Sequence, residues 1–355
     1  MAKLYNISNW SEQTWLNTGG TRDKKIYLNP EDGQLYYFKQ SFKKGTRDFK
    51  HEFWSEIIAS EIGNMLGFKL LNYDIAIRGE IVGCISKSMI NPESEELVEG
   101  GKYLQAFDTT FDPANIKLRS QYNFNLIMKA LEAFNKQKHI IELIETLVFD
   151  AVIGNSDRHQ ENWALIIQHT KITNSFFQIE KVFRTGGFEL LPKWLKKIFI
   201  VIFTKNGDIR PSFNISKFMF QKESKFAPIY DSGCSFGREL DNARVNNMLR
   251  DESEIEKYVE KGLAEIHWEN QKINHFKLLE KLLEMPKLNN QLLKIIERTI
   301  SNFALDEAKN RLNNIDRELV MIGNPNLFPN DRKELVMKLL ILRINKLKGV
   351  FSLYK

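Results

Sequence analysis

In the first third of the chain, apolar residues recur with the period of strands. Residues 23–40, DKKIYLNPEDGQLYYFKQ, hold two β-prone runs around a Pro/Asp/Gly turn and predict a hairpin. The segment LLNYDIAIRGEIVGCISKS predicts two further strands around Arg78-Gly79-Glu80. Between these, residues 47–67 take up a helical period. Phe49, Phe53 and Ile57 share one stripe, Trp54, Ile58, Ile62 and Met65 another, and Gly67 is the stop signal. From about residue 113 helices dominate, and residues 245–355 are nearly all amphipathic helix. A small sheet-rich part with one helix, then a large helical part, predicts two lobes with a cleft between them.

One stretch breaks the pattern. Val148 to Ile166, VFDAVIGNSDRHQENWALI, places Asn155, Ser156, Asp157, Arg158, His159, Gln160, Glu161 and Asn162 between an apolar helix and the strand-like WALII. Surface loops are seldom so short and so tightly held between buried segments, so the stretch reads as a site.

Composition narrows the class. Hydrophobic residues make up 43% and charged residues 27% of 355 residues, an ordinary globular balance that favours two lobes. A formal charge of +6 is too small to argue for nucleic acid. The N-terminus has no apolar signal-peptide core, and no apolar run reaches the roughly 18 residues of a spanning helix. Cys84 and Cys234 lie too far apart to form a disulfide framework or a zinc site; they read as small packing residues. A reducing cytoplasm is the expected compartment.

The polar stretch has partners elsewhere in the sequence. Asp157 and Asn162 lie five positions apart, a spacing at which a carboxylate can orient a hydroxyl while an amide oxygen ligates a metal. FAPIYDSGCSFG supplies Asp231 after a β-like run, with Gly233 allowing a sharp exit. Hard oxygen ligands without a Cys/His cluster suit Mg²⁺ rather than Zn²⁺. Gly19, Gly20 and Thr21 precede the first hairpin strand, where bare amides can approach phosphate, although a Gly pair there also serves as an ordinary turn. Lys39 lies in the second hairpin strand, and the next helix offers Glu52 and Glu56 on one face. Glycine turn, strand lysine, helix glutamate, Asp…Asn and a later Asp make the ordered parts list of phosphoryl transfer.

IGNSDRHQEN, SEIIASEIGNMLGF and PIYDSG resemble segments of the HipA-like serine/threonine kinases, a bacterial branch of the protein-kinase-like fold distantly similar to phosphoinositide kinases. The resemblance covers roughly residues 18–240 and is closest to the short members, which lack an additional N-terminal subdomain. It implies an α+β bilobal fold, with an ATP-binding N-lobe over residues 1–90 and a helical C-lobe over 91–355. The C-lobe would hold a catalytic loop at 153–163 and a metal-binding segment at 228–234. Asp157 would be the catalytic base, Asn162 and Asp231 the Mg²⁺ ligands, Lys39 the ATP-phosphate lysine and Glu56 its partner. Ser88, Met89 and Ile90 would form the hinge against adenine. His159 either orients Asp157, assists proton transfer or packs the loop, and Arg158 reads as a structural ion-pair partner.

The resemblance implies an ATP- and Mg²⁺-dependent kinase acting on a protein Ser/Thr hydroxyl, in a toxin–antitoxin or delivered-effector role. An antitoxin or regulatory protein would be the partner, with nucleic acid engaged only through it. One departure is an insert near 170–225. Between Thr170 and Lys225 it carries eleven Lys or Arg against four Asp or Glu, interleaved with aromatics. Such a segment binds single-stranded nucleic acid or an anionic membrane, or packs as a small subdomain with solvated lysines. Its place between Asn162 and Asp231 makes it an expected docking surface. A lipid or small-molecule kinase, and a catalytically inactive binding module, are the rival readings.

Overall fold

The computed structural model describes residues 1–14, 24–41, 43–44, 47–112, 115–168, 204–205, 208–209 and 223–355. Gly19, Gly20, Thr21 and most of the basic insert lie outside the described residues.

The N-terminal part is built on a six-stranded sheet in the order β1-β7-β8-β4-β3-β2. These strands are β1 (Leu4–Asn6), β2 (Ser11–Glu12), β3 (Lys25–Leu28), β4 (Leu35–Gln40), β7 (Asp74–Arg78) and β8 (Ile81–Lys87). β3 and β4 are the predicted hairpin, paired from Lys25↔Phe38 to Leu28↔Leu35. Alternation along β4 buries Tyr36 and Phe38 with Ile7, Tyr27, Ala76 and Ile85. Lys39 and Tyr37 are thereby left for the other face. A short ribbon of β5 (Lys43–Lys44) and β6 (Arg47–Asp48) follows.

Helix α1 spans Glu52–Leu66 and ends on Gly67 at φ 82°. The helical pattern predicts a start near 47, but 47–48 pair with 43–44 instead, so the helix begins five residues later. Phe49 therefore precedes the helix rather than sharing its stripe. Helix α1 is buried on nearly every side, its glutamates Glu52, Glu56 and Glu61 included. Buried carboxylates need partners, and each of the three has a cationic one. Arg311 reaches Glu61 at 2.7 Å and Asn302 Nδ2 donates to Leu66 O, fastening α1 to the C-terminal helices.

After helices α2 (Gly100–Phe107) and α3 (Phe124–Ala133), helix α4 (Ile140–Ile153), the apolar helix before the polar stretch, ends at Gly154 with φ 70°. A Cβ there would lie 2.6 Å from the Arg343 guanidinium, so glycine answers both the turn and the close approach. After the loop, β10 (Ala164–Gln168) runs between β9 (Glu95–Glu99) and β13 (Ser224–Phe226) in a second, antiparallel sheet. Two further short strands, β11 (Thr204–Lys205) and β12 (Asp208–Ile209), pair with each other inside the insert. The C-terminal helix Asn330–Tyr354 packs on α4 and on helices Asn242–Arg250, His275–Leu283 and Asn289–Asn302. No helix among the described residues is long and apolar enough to cross a membrane.

His275, 3% exposed at the start of its helix, gives one measurable consequence of this core. Burial pushes its imidazole down to about 3, and the Arg343 guanidinium adds to the shift. An unfolded histidine titrates near 6.5. The stabilisation from keeping it neutral is therefore complete above about pH 6.5 and is lost as the pH falls toward the folded value. By pH 5 this group alone should cost about 2 kcal/mol. Urea unfolding of wild type and His275→Gln at pH 7 and pH 5 checks it. The wild type should lose more stability than the variant over that interval, and equal losses would contradict the assignment.

Candidate active site

Two lysines converge on one carboxylate. From β4, Lys39 Nζ reaches Glu56 Oε1 at 2.7 Å and Asp231 Oδ1 at 3.1 Å. From the residue just before β3, Lys24 Nζ reaches Asp231 Oδ2 at 3.1 Å. Glu56, 1% exposed, uses its second oxygen to accept the backbone N–H of Ser232 at 2.8 Å. One helix carboxylate thus fixes the strand lysine and the segment that carries Asp231. Burial opposes the charge on Lys39, but the Asp231 and Glu56 carboxylates outweigh it and hold its ammonium well above the ordinary lysine range.

Asp231 itself has φ 55°, in the left-handed region that aspartate tolerates better than most residues. Its N–H donates to the Tyr73 hydroxyl at 3.4 Å. Burial, then the nearby Glu56 charge, push the Tyr73 phenol far above its usual value, so it stays neutral. Gly233 follows, and a Cβ there would meet Glu52 Cγ at 3.0 Å and Glu56 Oε1 at 3.2 Å. The turn lies against α1 at a distance glycine accommodates best.

The polar loop after α4 meets the same segment. Arg158, 1% exposed, donates from Nε and Nη2 to the two oxygens of Asp150 at 2.9 and 2.8 Å. Its Nη1 donates to the carbonyls of Asn162 and Tyr230 at 2.7 and 2.6 Å. The guanidinium therefore stitches α4, the loop and the residue before Asp231 together. Burial opposes its charge, yet Asp150 keeps it firmly protonated. Asn162 Nδ2 donates to the Asp157 carbonyl at 2.6 Å, which commits the amide nitrogen and turns its oxygen the other way. The Asp157 carboxylate accepts from the Cys234 thiol at 3.2 Å. Asp157, Asn162 and Asp231 are thus brought to one cleft with Lys39 and Glu56.

The ring of His159 accepts the Glu161 N–H at 3.3 Å, a bond within the loop rather than to Asp157. Ser88 accepts the Ile90 N–H and donates back to the Ile90 carbonyl, closing a tight turn after β8. Ser88 and Met89 line a cavity of about 350 Å³ with Leu70, Leu71, Ile166 and Pro228. Met89 and Ile90 pack on Ala164, Ile166, Ala227 and Tyr230, joining the connection to the second sheet.

Several members of the site are absent from the sequence-level set. Lys24 has no signal to separate it from Lys25. Asp150 does have one, because it is the last charge in an otherwise apolar helical run. Arg238 has no signal either, and the contacts of Glu52 and Cys234, read from the sequence in other roles, depend on long-range packing.

Among the described residues no group of three or more His, Cys, Asp or Glu side chains is placed to hold a metal ion by itself. One carboxylate and one amide oxygen nevertheless supply hard donors for a cation shared with bound phosphates, and the two flanking ammonium groups suit the phosphates themselves. Mg²⁺ characteristically takes one or two carboxylates and completes its shell with water and phosphate oxygens.

A small sheet with one buried helix, meeting a helical part at this cleft, defines a bilobal protein-kinase-like fold. The Helicobacter pylori proinflammatory kinase CtkA has it: 99% of this chain and 97% of that one superpose at TM-score 0.70 with 16% sequence identity. The HipA chain of the Shewanella oneidensis MR-1 toxin–antitoxin complex of HipA, HipB and operator DNA aligns at TM-score 0.47 and 12% identity, over 96% of this chain and 67% of that one. A score below 0.5 does not establish a common fold. No family model matches the chain, and no curated protein matches it in sequence.

Proposed function

We propose that the protein is a HipA-like kinase that transfers the γ-phosphoryl group of ATP to a Ser/Thr hydroxyl of a protein. The observation that carries this reading is the Lys39–Glu56–Asp231 cluster facing the Asp157/Asn162 loop. Lys39 and Lys24 supply positive charge where nucleotide phosphates would sit, and Glu56 fixes Lys39. Asp157 orients the acceptor hydroxyl and takes its proton as the new P–O bond forms and the γ-phosphorus bond to the β–γ bridging oxygen breaks, releasing ADP. Asn162 and Asp231 would hold Mg²⁺, which when bound neutralises phosphate charge. Ser88 to Ile90 is the adenine-side connection between lobes, with the lobe boundary at 90. The motif resemblance adds a toxin or effector role and a cognate regulatory protein.

Incubating the purified chain with labelled ATP and Mg²⁺, against protein extract and against lipid vesicles, tests the reading. Label in protein supports it, and label in lipid alone selects a lipid kinase. Absence of ATP turnover removes both and leaves a binding module.

Asp231→Ala carries a sharper expectation. The variant should weaken Mg²⁺-dependent ATP binding by more than about 10-fold, the scale on which metal sites respond to lost partners. Binding of metal-free ATP should change less, or tighten, because a buried negative charge is gone from beside the phosphates. Titration calorimetry with and without Mg²⁺ separates the two, and equal losses would count against Asp231 as a ligand.

A further inference from the structure

A line of polar contacts runs from Asp157 to helix α1, and the transfer described above makes no use of it. The Cys234 thiol donates to Asp157 Oδ2 at 3.2 Å, and Arg238 Nη2 donates to Cys234 Sγ at 2.9 Å. Arg238 Nη1 lies 2.7 Å from Glu52 Oε2. That N–H does not aim straight at the oxygen, so the attachment is an ion pair rather than a directed hydrogen bond. The guanidinium also stacks 4.4 Å from the Phe49 ring centre, which restricts how it can swing. Glu52 opens α1, and Glu56, one turn further on, is the partner of Lys39.

We infer that Cys234 is a positioning residue for the Asp157 carboxylate, and that Arg238 and Glu52 tie it to helix α1. The inference rests on Asp157 being the base of the proposed transfer. A carboxylate on a loop can rotate about two side-chain bonds, and a reacting group must be held within about 0.5 Å of its productive place. The thiol is only a weak donor, so its contribution is directional rather than energetic. The backbone supports the same geometry. Ser156 N–H donates to the Cys234 carbonyl at 3.3 Å, and the Ser55 hydroxyl of α1 donates to the Ser235 carbonyl at 3.3 Å. The segment after Asp231 is therefore held between the catalytic loop and the helix.

The consequence is that α1 addresses both halves of the chemistry. Through Glu56 it sets Lys39 and the backbone beside Asp231. Through Glu52, Arg238 and Cys234 it sets the side chain of Asp157. A shift of this helix would misplace phosphate and base together. The competing account is that Cys234, 8% exposed, only fills space.

Steady-state transfer from labelled ATP to a pool of Ser/Thr peptides, with the full chain, separates the two. Cys234→Ala should lower kcat about 10- to 100-fold, as misplacement of a reacting group does, with KM for ATP nearly unchanged. Cys234→Ser, which keeps a donor, should recover most of the loss. Glu52→Gln should lower kcat in the same sense, and combining it with Cys234→Ala should add little, as for members of one network. Wild-type kcat in Cys234→Ala, a serine variant no better than alanine, or losses that multiply would each overturn the inference. If Cys234→Ala does not fold, unchanged kcat in Glu52→Gln overturns the tie to α1. Wild-type protein that transfers no phosphate removes the kinase reading, and this inference with it. Wild-type protein that transfers phosphate while Cys234→Ala does so equally well removes the inference alone.

Discussion

Asp157→Asn should abolish phosphoryl transfer while ATP affinity and folding stability stay close to wild type. The carboxylate and the amide have the same shape, so the surrounding bonds should survive. The Asp157 N–H donates to Asn155 Oδ1, and the Asp157 carbonyl accepts from Asn162 Nδ2; neither involves the carboxylate. The cluster of Lys39, Glu56 and Asp231 is built from other elements and should hold nucleotide as before. What the amide lacks is a site for the proton leaving the acceptor hydroxyl. General-base help is typically worth about 10² to 10⁴ in rate, and the variant should lose that much. Single-turnover transfer, with ATP binding by calorimetry as the control, measures it. A wild-type rate with intact ATP binding would remove Asp157 from the chemistry. A loss of ATP affinity equal to the loss in rate would make it a binding residue instead.

Arg158→Met should destabilise the protein by about 3 to 5 kcal/mol, the usual cost of leaving one partner of a buried ion pair alone. Asp150 is itself 1% exposed, and without the guanidinium it would keep its hydrogen bond from Asn155 Nδ2 but lose its countercharge. The carbonyls of Asn162 and Tyr230 would each lose the donor that Arg158 supplies. Those carbonyls stand at Asn162 and just before Asp231, so the damage should spread to the pair proposed to hold Mg²⁺. Urea unfolding checks the stability, and a cost below about 1 kcal/mol would mean that the buried guanidinium is not what holds the loop. The double variant Asp150→Asn/Arg158→Met should recover part of the loss, because it no longer buries an unpaired charge. Additive losses would show instead that the guanidinium acts mainly through the two carbonyls.

Alternation and helical period were enough to read the β3–β4 hairpin, the strands around Arg78-Gly79-Glu80, helix α1 and the break at the polar loop. Each of these depends on side chains a few positions apart meeting one buried face, which is local information. Lys39, a glutamate of the next helix, Asp157, Asn162 and Asp231 were likewise picked out by residue type and order, and the packing brings them near one another; their roles in phosphoryl transfer remain the proposal made above. The start of α1 was not legible, because pairing of 47–48 with 43–44 competes with a helical pattern that continues through them. Which glutamate meets Lys39 was settled by the packing of α1, which turns Glu56 to the lysine and Glu52 to Arg238. Lys24 joins Asp231 across 207 positions, and Cys234 joins Asp157 across 77. Such partners are chosen by how lobes and loops pack, and a buried charge accepts whichever opposite charge that packing delivers. The sequence by itself therefore determined most of the elements and the candidate residue types, whereas only the tertiary structure decided which side chains meet and hold them in place.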